Sequence, residues 1–502
     1  MTEPRMLVYA PLRLEAACLD GTVRRHARVI RTGMGPGRAR VAAARGLAVD
    51  AAGVAVVGVC AAAVPGLQAG DVVLGSELRR AGADPVRVPG SRMLAAALRR
   101  RGLRAHVGTI ESVADLAGPT ERRYLAGRGA TAVDMESAWL AAGADGRPLV
   151  VLRTVVEHST RELYDPRTAL AGARSLAALR RAAPVLDEWR RALRRRRIML
   201  AAPRSFCAGV DRAIEIVELA LEQRGAPVYV RKQIVHNEHV VADLERRGAI
   251  FVDELDEIPA GATTVFSAHG VSPAVRAEAA ERGLDVIDAT CPLVSKVHAE
   301  ARRFAAAGNT VFLIGHSGHE EIEGTYGEAP DATVLVENVA DAARVAAPDP
   351  ERVTFLTQTT LAVDETEEII DTLRGRFPAL RGPSSDDICY ATTNRQKAVR
   401  EVARESDVVL VVGSRTSSNS LRLVEVAERE GARAYLVDDE TDVDLAWIAD
   451  AGTIGVSAGA SAPEELVHSL VASLAALGGA DVEQTTTATE SLRFKLPQEV
   501  RG

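Results

Sequence analysis

A displacement of 98 residues maps one stretch of this chain onto another: Cys291 onto Cys389, Gly315 onto Gly413 and His319 onto Ser417. In both copies an apolar run leads to the cysteine, a helix-like stretch follows, and a second apolar run ends in a polar loop containing glycine. Cys207, 84 residues before Cys291, begins a third and shorter version. An internal repeat constrains a fold more than composition does, because every copy must form the same unit. Short apolar runs alternating with helix-period stretches give α/β architecture with largely parallel sheets. Three such units, each delivering a cysteine from a strand-to-helix turn, can be arranged around one centre.

The repeat leaves the first part of the chain unexplained, and charge separates the two. Residues 1–197 carry 33 Arg, no Lys and 18 acidic residues, a net +15, whereas the remainder carries 28 basic and 50 acidic residues, a net −22. A chain of 502 residues exceeds what one core holds. Two domains are therefore expected, 1–197 and 198–502. The arginine-rich segment Trp189 to Arg197 reads as a solvated helix end running straight into the strand Ile198 to Ala202. The arginines of the first part are dispersed and lack interleaved aromatics, which argues against nucleic acid as a partner. No run of about 18 apolar residues and no basic-then-apolar leader is present, so no membrane span is expected and a cytoplasmic location is.

The five cysteines are too few and too scattered for a disulfide framework. Cys207, Cys291 and Cys389 each precede a helical pattern, where the positive end of the helix dipole favours thiolate, the metal-binding form. Isolated cysteines commonly just fill small apolar spaces; recurrence at equivalent points of three repeats argues otherwise. Structural zinc would want a fourth ligand and often CxxC spacing. A 4Fe-4S cluster on three cysteines instead leaves one iron open.

The motifs around these cysteines are specific. The chain reads Phe206-Cys207-Ala208-Gly209-Val210, Val235-His236-Asn237, Ser267-Ala268-His269-Gly270-Val271, Asp288-Ala289-Thr290-Cys291-Pro292, Gly318-His319-Glu320-Glu321, Thr357-Gln358-Thr359-Thr360, Asp387-Ile388-Cys389-Tyr390, Ser417-Ser418-Asn419-Ser420 and Gly459-Ala460-Ser461. In that order they resemble the reductase family called LytB or IspH, from Ile198 to about Pro497. The resemblance implies three α/β units around a central cluster held by Cys207, Cys291 and Cys389. It also implies reductive dehydroxylation of 4-hydroxy-3-methylbut-2-enyl diphosphate to isopentenyl and dimethylallyl diphosphates, in the methylerythritol phosphate route. It further implies a diphosphate pocket of His236, His269, His319, Ser417, Ser418, Asn419 and Ser461, with Glu321 and Thr359, beside His319, delivering protons. An external electron donor such as a ferredoxin or flavodoxin is implied too. Lys232-Gln233 departs from the His-Glu that the family often carries, which puts the pocket's rim in doubt but leaves His236 in place. The rival reading is a redox-sensing iron–sulfur protein without turnover, which would not need the diphosphate pocket.

Residues 1–197 resemble the nucleoside phosphorylase superfamily. The likeness rests on the strand His26 to Thr32 entering Gly33-Met34-Gly35-Pro36, on Gly70-Asp71-Val72-Val73-Leu74, and on Val133-Asp134-Met135-Glu136-Ser137. Gly33 and Gly35 suit close phosphate approach before a helix. By the resemblance, Glu136 matches a ribose-hydroxyl acceptor and Glu157 stands where the family has a catalytic Asp. The family's Gly-Gly core appears here as Cys60-Ala61-Ala62-Ala63, so a domain that kept the fold without the reaction stays open. A hopanoid-linked phosphorylase and a homo-oligomer stay open likewise.

Overall fold

The computed structural model describes residues 4–19, 21–157 and 168–501. It divides into two compact units, the first Met1–Ile198 with Val437–Ile454 and His468–Glu483, the second Met199–Leu436 with Gly455–Val467 and Gln484–Gly502. Both are α/β, and among the described residues no helix is long and apolar enough to cross a membrane.

The first unit is built on an eight-stranded sheet. Its order is Ala27–Arg31, Met6–Ala10, Gly53–Ala62, Ala130–Asp134, Ala105–Ser112, Val72–Arg79 and Val86–Arg87, and Leu149–Glu157 pairs with both Gly53–Ala62 and Val72–Arg79. Runs such as Met6–Ala10 are buried along their whole length, as strands covered on both faces must be. The segment read as a solvated helix end is solvated only in part: Arg191 and Arg195 are exposed. Trp189, Arg190, Leu193 and Arg196 are buried. Arg190 Nε pairs with Asp187 at 2.8 Å and Arg196 Nη2 donates to the carbonyls of Ala192 and Ile448. The guanidinium groups could leave water because carbonyl and carboxylate acceptors were waiting for them. The strand expected from Ile198 accordingly starts earlier, as Arg196–Ala202.

In the second unit the repeat becomes geometry. Helix Pro292–Ala306, strand Thr310–Ile314, Gly315 and helix Glu320–Gly327 follow one another, and so do Tyr390–Ala403, Val408–Val412, Gly413 and Ser418–Arg429. The third copy runs Ala208–Arg224, Val228–Arg231 and Glu238–Arg246. Three sheets result: Ala249–Val252, Val228–Arg231, Thr263–Phe266, Asp285–Asp288; Thr333–Val336, Thr310–Ile314, Val353–Thr357; and Arg433–Val437, Val408–Val412, Thr453–Ala458, Arg196–Ala202, Ala480–Thr486. The first two are parallel throughout. Their strands end in polar loops at the carboxyl edge, where α/β sheets bind ligands.

Candidate functional site

Each of the three cysteines is the N-cap of its helix. Each is also held by the loop of another strand: Cys207 N–H donates to the carbonyl of Ala460 (3.3 Å), Cys291 N–H to that of Ala268 (3.0 Å) and Cys389 N–H to that of Thr359 (3.0 Å). Two buried arginines fix the cysteines relative to one another. Arg212, on the helix after Cys207, donates to the carbonyls of Ala289 and Thr290 just before Cys291. Arg395, on the helix after Cys389, donates to the carbonyls of Ser205 and Phe206 just before Cys207 and pairs with Glu490 at 3.0 Å. A Cβ added at Gly209 would lie 2.8 Å from Cys291 Sγ and 3.8 Å from Cys207 Sγ, so only glycine leaves room where these sulfurs meet.

The three cysteines line one cavity of about 800 Å³, together with His236, His269, His319, Glu321, Thr359, Ser417, Ser418, Asn419 and Ser461. All sites named from the second part of the sequence thus converge. The His236 and His269 rings stack at 4.2 Å, and His319 meets both edge-on. Burial, then the neighbouring His269, pushes His236 down to about 3 and His319 down to about 4, so both rings are neutral near pH 7. His319 Nδ1 accepts from Glu321 N–H, capping the helix Glu320–Gly327. Ser417 caps Ser418–Arg429 in the same way. Among the described residues neither Asn419 amide atom, both of them buried, has a partner, which in a built site points to a ligand. Ser461 instead donates to the carbonyl of His236 at 3.0 Å and contributes its oxygen to the cavity.

Glu321 is buried, receiving Thr359 N–H on Oε1 (2.6 Å) and Thr359 Oγ1 on Oε2 (3.0 Å). Burial outweighs these bonds and raises its carboxyl to about 7. Cys291 and Cys389 are pushed up to about 12 and about 11, by burial first and then by the negative charge of the neighbouring cysteines. Thiols crowded together in this way hold their protons until a cation replaces them.

Sequence reasoning passed over Glu320, which binds His269 Nδ1 (3.2 Å) and Ser267 Oγ (3.3 Å). Burial works to raise its carboxyl, but His269, His236 and Ser267 hold it below the usual range. His236, His269 and Glu320 place ligand atoms within 4.8 Å of one another, a second arrangement capable of holding a metal ion.

A model of the LytB protein family matches residues 198–475. The chain belongs to the LytB family. Two LytB relatives are 4-hydroxy-3-methylbut-2-enyl diphosphate reductase of Leifsonia xyli subsp. xyli, 60% identical over 61% of this chain and 91% of the relative, and 4-hydroxy-3-methylbut-2-enyl diphosphate reductase 1 of Mycobacterium tuberculosis, 59% identical over 61% and 94%. Among solved structures, the E-1-hydroxy-2-methyl-but-2-enyl-4-diphosphate reductase from Plasmodium falciparum is similar with a TM-score of 0.59 and 37% identity, over 61% of this chain and 97% of that one. LytB membership implies an iron–sulfur cofactor and a small diphosphate substrate. A model of the phosphorylase superfamily matches residues 19–184, so a phosphorylase-like domain precedes the LytB region.

The phosphorylase-like domain has its own cavity, about 840 Å³, lined by Glu15, Met34, Cys60, Asp134, Glu136 and apolar neighbours. Gly33 and Gly35 both adopt positive φ (75° and 92°), which glycine permits. Yet Gly35 N–H, expected to face phosphate, donates to Glu136 Oε1 at 3.0 Å. The turn holds a carboxylate of the protein in place. Glu15, unforeseen from sequence, is buried and takes N–H bonds from Leu12 (2.6 Å) and Val59 (2.9 Å). Arg153, fully buried, pairs with Asp134 at 2.6 Å and Glu136 at 3.5 Å. Burial raises both Glu15 and Glu136 despite Arg153. Glu157 ends the strand Leu149–Glu157, and its side chain lies outside the described residues.

Proposed function

We propose that the 198–502 region is a 4-hydroxy-3-methylbut-2-enyl diphosphate reductase. The observation that carries this reading is the convergence of three cysteines, a polar rim of imidazoles, hydroxyls and an amide, and a buried carboxyl on one cavity. The reaction takes an allylic alcohol, two electrons and two protons to a hydrocarbon end and water, yielding isopentenyl and dimethylallyl diphosphates.

The residues fit an iron–sulfur cluster. Three crowded thiols with a glycine at their meeting point form a sulfur-lined recess, and no lysine or arginine among the described residues lines the cavity to hold thiolate in the metal's place. Cys207, Cys291 and Cys389 would hold a 4Fe-4S cluster, which when bound supplies single electrons and a Lewis-acidic iron. The protein's own groups do the rest. His236, His269, His319, Ser417, Ser418, Asn419 and Ser461, with the helix N-termini that His319 and Ser417 cap, bind the diphosphate. Glu321 holds a proton near neutral pH at the inner end of the cavity, and Thr359 fixes its orientation, so the departing hydroxyl leaves as water. The apolar walls, Val210, Val235 and Val294 among them, exclude bulk water from the reduced site.

Anaerobic purification should yield protein carrying iron and sulfide in equal amounts that dehydroxylates the allylic diphosphate with reduced methyl viologen. Loaded protein that neither binds the diphosphate nor turns it over would favour the redox-sensor reading. The electron donor in the cell is read as a ferredoxin or flavodoxin, and the location as cytoplasmic. For the phosphorylase-like domain we read a small-molecule site at Glu15, Asp134 and Glu136. Its carboxylates and the capture of Gly35 N–H favour an uncharged, polyhydroxylated ligand over phosphate. Calorimetric titration with adenosine and with inorganic phosphate separates these, and tighter binding of phosphate would reverse the assignment.

A further inference from the structure

Gln358 belongs to the motif Thr357-Gln358-Thr359-Thr360 but has no part in the site described so far. It is buried, and its side chain joins three loops. Its Oε1 accepts from the backbone N–H of His316 at 3.2 Å. Its Nε2 donates to Thr360 Oγ1 at 2.8 Å and to Ser418 Oγ at 3.3 Å. The two hydroxyls also bond each other at 3.1 Å.

The direction of these bonds follows from chemistry. A backbone N–H can only donate, so the amide must turn its oxygen to His316 and its nitrogen to the hydroxyls. The two Nε2 protons then occupy one lone pair on each hydroxyl oxygen. Thr360 and Ser418 share one of their two protons between them, and the other has no acceptor within this group. Both residues line the cavity, so that remaining proton points into it. With Thr360 donating, Ser418 oxygen takes two bonds and its own proton faces the ligand.

We propose that Gln358 is a positioning residue that makes the Thr360–Ser418 hydroxyl pair an obligate donor toward the anionic end of the substrate. This rests on the reading of Ser418 as a diphosphate contact. Gln358→Met removes both donated bonds. Gln358→Glu keeps an acceptor for His316 N–H but offers a carboxylate to the two hydroxyls, drawing their protons out of the cavity.

The test uses the full-length, cluster-loaded protein, the allylic diphosphate as substrate and inorganic diphosphate as competitive probe. Both Gln358 variants should raise KM and the inhibition constant of diphosphate about tenfold or more, the order expected for one lost charge-assisted hydrogen bond, with kcat within about threefold. Gln358→Glu should be the worse of the two at unchanged iron content and melting temperature, since it retains the bond to His316. Ser418→Ala should raise KM similarly, and Gln358→Met should add little on top of it. A normal KM in Ser418→Ala would overturn the diphosphate reading itself. A raised KM in Ser418→Ala with a normal one in Gln358→Glu, or multiplying effects in the double variant, would leave that reading standing and overturn the role of Gln358.

Discussion

Glu321→Gln should make the enzyme slower and, above neutral pH, more stable. The amide keeps the shape of the carboxyl: its oxygen can still accept Thr359 N–H, and the Thr359 hydroxyl can rotate to accept from the new NH₂. What is lost is the transferable proton. General acids contribute about 10²–10⁴ in rate, or roughly 3–5 kcal/mol of barrier, so kcat should fall by that factor with KM changed little. The wild-type rate should decline as pH rises through about 7, where Glu321 gives up its proton, and the variant should lack that limb. Stability runs the opposite way. A carboxyl raised from 4.5 to about 7 on folding is no burden below pH 4.5 and costs the folded state more as pH climbs through 7, reaching about 3 kcal/mol. The neutral amide escapes that cost, so the gap in melting temperature should grow in the variant's favour from pH 6 to 8.5. Anaerobic kinetics and thermal melts at three pH values test both halves. An unchanged kcat, or a pH limb that survives in the variant, would refute the assignment of Glu321 as the acid.

Replacing Cys207, Cys291 or Cys389 by Ser should lower iron and sulfide content, while the same change at Cys18 or Cys60 should not; iron assays after identical reconstitution decide it. Gly209→Ala places a methyl 2.8 Å from Cys291 Sγ, and should reduce cluster loading severalfold while circular dichroism stays that of the parent. A fragment of residues 198–502 should retain turnover per cluster, since the LytB family model matches residues 198–475. It should nevertheless melt lower than the full chain, because it loses Arg92, partner of the buried Asp439 and Glu440, and the start of the strand Arg196–Ala202.

The cysteines, the repeat and the strands were legible because each is a local signal. Val408–Val412 can hardly be anything but a buried strand, and Pro292 announces a helix whose N-cap is Cys291. What stayed hidden depends on partners far along the chain. Arg395 and Glu490 are 95 residues apart, and Glu15 meets Val59 across 44. Gln358 was in plain view within its motif, but its work is the direction of three hydrogen bonds, which no spacing reveals. The seam misled for the converse reason: a run of arginines looks solvated unless the carbonyls that receive Arg190 and Arg196 are known. Gly33 and Gly35 gave the turn, but not that Gly35 N–H meets Glu136, which lies 101 residues further along the chain.

The rim of the LytB cavity also bears on how an enzyme can release what it makes. Substrate and products share the same diphosphate, so any grip on that group is felt equally before and after reaction and lowers KM without raising kcat. A clamp of lysines and arginines would hold product as firmly as substrate. Among the described residues none lines this cavity; the neutral imidazoles of His236 and His319, hydroxyls, the Asn419 amide and two helix N-termini take their place. Each is a dipole, which costs less to bury than a cation when the site is empty and binds an anion less tenaciously when it is full. Discrimination then has to come from the other end, where only the substrate carries a hydroxyl. There the cavity offers Glu321, a carboxyl that burial raises to about 7, and Thr359, which holds both of its oxygens in place. On the proposed reading, binding is shared along the rim, whereas the proton-donating chemistry is concentrated at this one carboxyl.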